Sequence, residues 1–76
     1  VKVQVHRFAN LRAYGPPGEP AELELPEGAA VSQALERLGL PQGVRRVVLV
    51  NGHSVPEDQG LAGGDVLTLF PPVEGG

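Results

Sequence analysis

The sequence predicts an α+β domain, a mixed sheet of four or five strands with one main helix on one face, and three observations carry that prediction. Val1, Val3 and Val5 alternate with polar residues, as do Leu23 and Leu25 with glutamates, which is the period of half-buried strands. Val31, Ala34, Leu35 and Leu38 fall at i, i+3, i+4 and i+7, the stripe of a single amphipathic helix. After the helix come a β-branched run over 44–50 and an apolar run over 66–70, so the order is ββαββ.

Strand one is expected over residues 1–8. Phe8 breaks its parity, and Phe8 with Leu11 at i, i+3 predicts a helical turn over 8–12 that folds back onto the core. Gly15-Pro16-Pro17-Gly18-Glu19-Pro20 cannot be regular structure and reads as a mobile loop. The run over 21–25 then pairs antiparallel with strand one, its glutamates facing water. A turn over 26–28 leads into a helix over 30–38, whose end is marked by Gly39 as the left-handed residue, Leu40 as its apolar contact and Pro41 as a stop. Its start is weaker, because Ala30 stands where a Ser or Thr cap contributes about 1 kcal/mol.

The third strand, 44–50, runs into Asn51-Gly52, the strongest short hairpin signal. His53-Ser54-Val55 is stopped by Pro56 and suits an edge strand. Residues 57–64 form a loop expected to bury Leu61, and 63–65 form a tight turn into the last strand. Val66-Leu67-Thr68-Leu69-Phe70 is apolar at four of five positions, the pattern of a central strand. A right-handed crossover lays the helix on one face of the sheet. The other face stays open, and parity puts Leu67 and Leu69 under the helix and Phe70 on the open side.

The chain has 76 residues, enough for one domain spanning 1–76 and too few for a deep active site. A domain of this size buries only about 60% of the surface of its unfolded chain. With no cysteine, neither disulfides nor thiolate metal ligation supplements the core, and the chain reads as cytoplasmic. Six basic and nine acidic residues give a net charge of −3, and the only adjacent basic pair, Arg45-Arg46, reads as a solvated strand edge, which argues against nucleic acid. The apolar runs are too short for a membrane span, and the N-terminus lacks a signal-peptide pattern.

His6 and His53 have no companions at metal-ligand spacing, so no metal is expected. No glycine-rich loop ends in Lys-Ser or Lys-Thr, Ser32, Ser54 and Thr68 have no adjacent base, and Glu57-Asp58 reads as a solvated loop pair. Nucleotide chemistry therefore belongs to a partner.

The informative stretch is the end, Leu69-Phe70-Pro71-Pro72-Val73-Glu74-Gly75-Gly76. Two prolines have fixed φ and no amide hydrogen, so they end the ladder and drive the chain outward in extended form. Residues 71–76 then form a tail reaching roughly 20 Å. Glycines at its tip let the backbone approach a partner without a Cβ in the way. Glycine-rich ends also occur as plain flexible termini, so the pair alone does not decide between the two.

Taken together, Phe8-Ala9-Asn10-Leu11-Arg12 with Tyr14, Val50-Asn51-Gly52, and Gly64-Asp65-Val66 through Phe70-Pro71-Pro72-Val73 to Gly75-Gly76 resemble the ubiquitin-like sulfur carriers of the β-grasp fold. Within that group the chain is most similar to the small subunits of molybdopterin synthases. The resemblance covers essentially the whole chain. It implies that the carboxylate of Gly76, presented by Gly75, attacks ATP on an adenylating, ubiquitin-activating-like enzyme, and that a sulfur donor enzyme converts the adenylate to a thiocarboxylate. The resemblance further implies that the tail enters the molybdopterin synthase large subunit, where sulfur passes to a cyclic pterin precursor to build the dithiolene that holds molybdenum or tungsten, with Phe70, Pro71, Pro72 and Val73 as partner-binding residues. The carrier would bind no cofactor itself. Arg7, where an aromatic residue is frequent, and Glu74, where a small one is frequent, depart from the pattern. Carriers for another acceptor such as the thiamin thiazole, protein modifiers joined through Gly76, and non-covalent binding modules are the other classes compatible with these residues.

Overall fold

The computed structural model describes residues 1–72. Strand β1, Lys2–Arg7, leads into a 3-10 turn, Ala9–Ala13, and then into β2, Ala21–Glu24. Helix α1, Val31–Leu38, follows, and the chain closes with β3, Val47–Val50, β4, His53–Ser54, and β5, Val66–Phe70. These strands form one five-stranded sheet in the order β2-β1-β5-β3-β4. β5 is central, as its apolar composition predicts, lying parallel to β1 and antiparallel to β3. β2 pairs antiparallel with β1, and β4 is the far edge, paired with β3.

Alternation sorts the side chains as the sequence predicts. Val3, Val5, Leu23, Val48, Val50, Leu67 and Leu69 are buried with the helix residues Val31, Ala34, Leu35 and Leu38, and Leu61 joins them from its loop. On the opposite face Val47, Leu49, Val66, Thr68 and Phe70 are only half-buried, so the open side of the sheet carries an apolar strip. The helix ends in the expected motif: Gly39 takes φ +79°, its amide donates to the carbonyl of Glu36 at 2.9 Å, and the amide of Leu40 donates to that of Leu35 at 3.1 Å.

The start of α1 differs from the sequence expectation in how it is capped. The amides of Val31 and Ser32 donate to the carbonyls of Gln59 and Glu57 at 2.9 and 2.8 Å, and the amide of Ala30 donates to Gln33 Oε1 at 2.8 Å. Donors that a cap side chain would satisfy locally are satisfied by the 57–59 loop instead.

Glu57 is accordingly no solvated loop acid. Its carboxylate accepts from Arg46 Nε at 3.0 Å and from Arg46 Nη2 at 2.8 Å, a bidentate pair. Arg46 Nη1 also donates to the carbonyls of Gln42 and Val44, each at 3.0 Å. That wrap explains why the third strand begins at Val47 and not at 44: the backbone before it is closed into a loop by its own arginine. The strand-edge reading of Arg45-Arg46 is therefore corrected for Arg46.

A second polar latch joins the β3–β4 hairpin to the turn before β5. Asn51, at φ +51°, donates from Nδ2 to Asp65 Oδ1 at 3.0 Å and accepts at Oδ1 from the Val66 amide at 3.0 Å. The other Asp65 oxygen accepts from the Ala62 amide at 2.8 Å. Replacing Asn51 by Ala removes two side-chain hydrogen bonds and puts a Cβ-bearing residue without a local polar contact in the left-handed region. Asn51→Ala is expected to lower the unfolding free energy by about 2 kcal/mol with an unchanged denaturant slope. A urea titration showing a loss within about 0.5 kcal/mol, the range of an ordinary surface change, would refute the latch.

Candidate functional site

The candidate site is the end of the sheet where β1 and β5 finish together. Because the two strands run parallel with Arg7 opposite Leu69, both reach the same border, and antiparallel β3 begins there with Val47 opposite Phe70. The amide of Phe8 donates to the carbonyl of Leu69 at 3.0 Å, carrying the β1–β5 pairing one residue further. Phe8 is still extended, at φ −121° and ψ 152°, so it continues the alternation and falls on the face opposite Arg7.

The expected helical turn is present one residue later, over Ala9–Ala13, but Phe8 does not fold back onto the core with it. Leu11 alone makes that contact and is buried, whereas Phe8 is 46% exposed and stands beside half-buried Phe70 on the open face. Phe8, Phe70 and Val47 thus form an apolar row across the border. Pro71 and Pro72 continue from Phe70 outside any strand and are half-buried. The expectations for Val73, Glu74, Gly75 and Gly76, and for the reach of the tail, fall on residues outside those described. Phe8 was missed as a surface group because an aromatic near a leucine at helical spacing reads as core; the parity of Val3, Val5 and Arg7 was the signal that would have found it.

The core-facing position at the end of β1 is taken by Arg7, only 3% exposed. Its Nη1 donates to the carbonyl of Tyr14 and its Nη2 to that of Gly18. The 15–20 segment is irregular, as expected, but is tied to the body and not free. Gly15 belongs to this packing: at φ +88°, an added Cβ would lie 2.4 Å from Leu38 Cδ2. Glu19 Oε1 accepts from the Arg7 amide at 3.3 Å and lies 3.3 Å from His6 Nδ1. His6 is thus a half-buried strand residue with a carboxylate neighbour, and His53 is exposed on β4. Among the described residues no group of His, Asp and Glu has the arrangement of a metal site. No helix among them is long and apolar enough to cross a membrane.

Comparison with known proteins follows the same geometry. The model of the ThiS family matches residues 5–76. No curated protein matches the chain. Among solved structures, SAMP1 from Haloferax volcanii, a small archaeal modifier protein, has a TM-score of 0.78 at 26% identity, with 100% of each chain covered. A provisionally assigned molybdopterin converting factor subunit 1 from Pyrococcus furiosus has a TM-score of 0.76 at 33% identity, covering 96% of this chain and 99% of that one. A chain from the complex of subunits 1 and 2 of the molybdopterin-converting factor of Helicobacter pylori shares the fold, with a TM-score of 0.68 at 22% identity over 100% of both chains. The fold is the ubiquitin-like β-grasp that the sequence predicts.

The role of Arg7 is open to a direct check. Arg7→Met keeps an apolar stem on the core face and removes both donors to the loop. It is expected to leave the circular dichroism of the sheet unchanged. Limited proteolysis within 14–20 should accelerate at least about tenfold, the equivalent of one charge-assisted hydrogen bond of about 1.5 kcal/mol. Unchanged cutting would show that the loop is held without Arg7.

Proposed function

We propose that this chain, which belongs to the ThiS family, is a sulfur carrier that supplies the dithiolene sulfur of molybdopterin through Gly76. The observation that carries this reading is the site's geometry: the central strand ends at an apolar border and feeds directly into Pro71-Pro72, with the family match continuing through residue 76. A body of this kind needs no acid, base or metal of its own. Its task is to dock and to present a small chemically bare terminus.

In the proposed cycle the Gly76 carboxylate attacks the α-phosphorus of ATP on an adenylating enzyme, and pyrophosphate leaves. A carboxylate is a poor electrophile, and the resulting acyl-adenylate supplies the leaving group it lacks. Sulfur from a donor enzyme, delivered at the oxidation level of hydrosulfide, attacks the acyl carbon and AMP departs, leaving a thiocarboxylate. The loaded terminus enters the large subunit of the synthase, its sulfur bonds to a carbon of a cyclic pterin precursor, and water hydrolyses the resulting thioester, leaving sulfur on the precursor and a carboxylate on Gly76. ATP is the partner's substrate, and the carrier itself is proposed to hold no cofactor. The 33% identity to the Pyrococcus furiosus protein and the two-subunit Helicobacter pylori assembly support this acceptor and this partner.

Protein modification is the second reading, favoured by the likeness to SAMP1. Lys2 is the only lysine in the sequence, and it is exposed and 3.9 Å from Glu22. Among these residues Lys2 is the one side chain through which chains of this protein could grow.

Intact mass after incubation with ATP, an adenylating enzyme and a sulfur source separates the readings. Replacement of one oxygen by sulfur is expected, and removal of Gly76 should abolish it without changing the fold. A ladder of conjugates would instead support the modifier. Thiocarboxylate that reaches a thiazole precursor and not the pterin would leave the carrier class standing and move the acceptor. For docking, Phe8→Ala is expected to change stability by no more than about 0.5 kcal/mol while weakening partner binding at least about tenfold. Unaltered affinity would remove Phe8 from the interface.

A further inference from the structure

We propose that the cleft on the β1 side of the tail root is an electrostatic guide that receives an aspartate or glutamate carboxylate from the rim of the partner's socket. The inference rests on the carrier reading and adds the chemistry of the surface that the partner must present. The chain is acidic overall, at −3, so its net charge disfavours a carboxylate-bearing partner. What such a partner meets depends on local charge, and the lining of this cleft carries two arginines against one glutamate.

The cleft, about 360 Å³, is lined by Arg7, Arg12, Pro17, Gly18 and Glu19. Two guanidinium groups contribute to it in different ways. Arg7 is buried, makes no ion pair with any described carboxylate, and has its Nε buried without an acceptor. Two carbonyl dipoles therefore offset its charge only in part, and a charge inside the protein is screened by salt far less than one in solvent. Arg12 is exposed and lines the cleft, and its Nε donates to the carbonyl of Arg7 at 3.2 Å, which fixes the stem. Glu19 is the acidic residue of the lining, and its Oε1 is directed to the Arg7 amide and His6 Nδ1. At the start of β3, by contrast, Arg46 is neutralised by Glu57.

A free oxyanion would satisfy the charge alone. A protein carboxylate is favoured because the strand end that carries Arg7 is followed directly by exposed Phe8, and only an occupant with apolar surface of its own would engage both. An acidic group placed beside an apolar socket would engage Arg12 first and bring the terminus into line. The expected signature lies in the association rate.

The test uses the full chain and the adenylating enzyme that loads it, with association followed by stopped flow from about 25 to 500 mM salt. The wild-type rate should fall about tenfold across that range. Arg12→Gln should lower the low-salt rate by roughly three- to tenfold and flatten the salt dependence, while Arg12→Lys restores both. Arg37→Gln removes the same unit of charge from helix α1 and should leave the rate unchanged. Equal effects of Arg12→Gln and Arg37→Gln, or a rate indifferent to salt, would overturn the guide. So would inorganic phosphate shifting the Arg12 resonances while Arg12→Gln associates normally. An enzyme that binds with the expected salt dependence yet never converts Gly76 to the thiocarboxylate would refute the carrier reading instead. An enzyme that neither binds nor loads the chain would refute both.

Discussion

The parallel pairing of β1 with β5 is the contact on which the rest of this small structure depends. It connects the two ends of the chain, places the last strand in the middle of the sheet, and makes β1 and β5 finish at one border. Once that register is set, alternation leaves little choice. Leu67 and Leu69 must enter the core against α1, Phe70 must emerge on the uncovered face, and Phe8 must arrive next to it. A slip of one residue would bury Phe70 and expose both leucines.

A core this small is supplemented at its margins by polar clamps, each joining segments remote in sequence. Arg46 and Glu57 close the approach to β3 and bring the 57–59 loop over the start of α1. Asn51 and Asp65 join the hairpin to the entrance of β5. Arg7 draws the proline-rich segment against the end of the helix. Each clamp satisfies backbone groups that would otherwise be unpaired at the edge of the core, which is why charged and amide side chains recur where apolar surface runs out.

Much of this was legible in the residues and some of it was not, for definite physical reasons. Val3, Val5, Leu23 and the α1 stripe announce themselves because one-sided burial imposes a period. Gly39 and Asn51-Gly52 do so because few residues tolerate a left-handed backbone. Arg7 was illegible because a charged residue on the core face is paid for by acceptors in a loop whose path no local pattern encodes. The shortened third strand and the borrowed helix cap share that cause: Arg46, Glu57 and Gln59 act across the fold. Of the site, Phe70 was placed correctly by parity, Phe8 was read inward, and the residues beyond Pro72 lie outside the described structure.

The two rims of the sheet have a consequence for how the molecule behaves in a crowd. β4 is two residues long and followed closely by Pro56, while β2 is four residues long, alternates with glutamates and is followed by Pro26. Each rim offers a stranger's backbone only a brief template, and the glutamates along β2 repel a second copy laid beside it. Sheet extension and fibril growth are thereby discouraged, and the apolar side of the sheet with its aromatic border is the surface that carries no such protection.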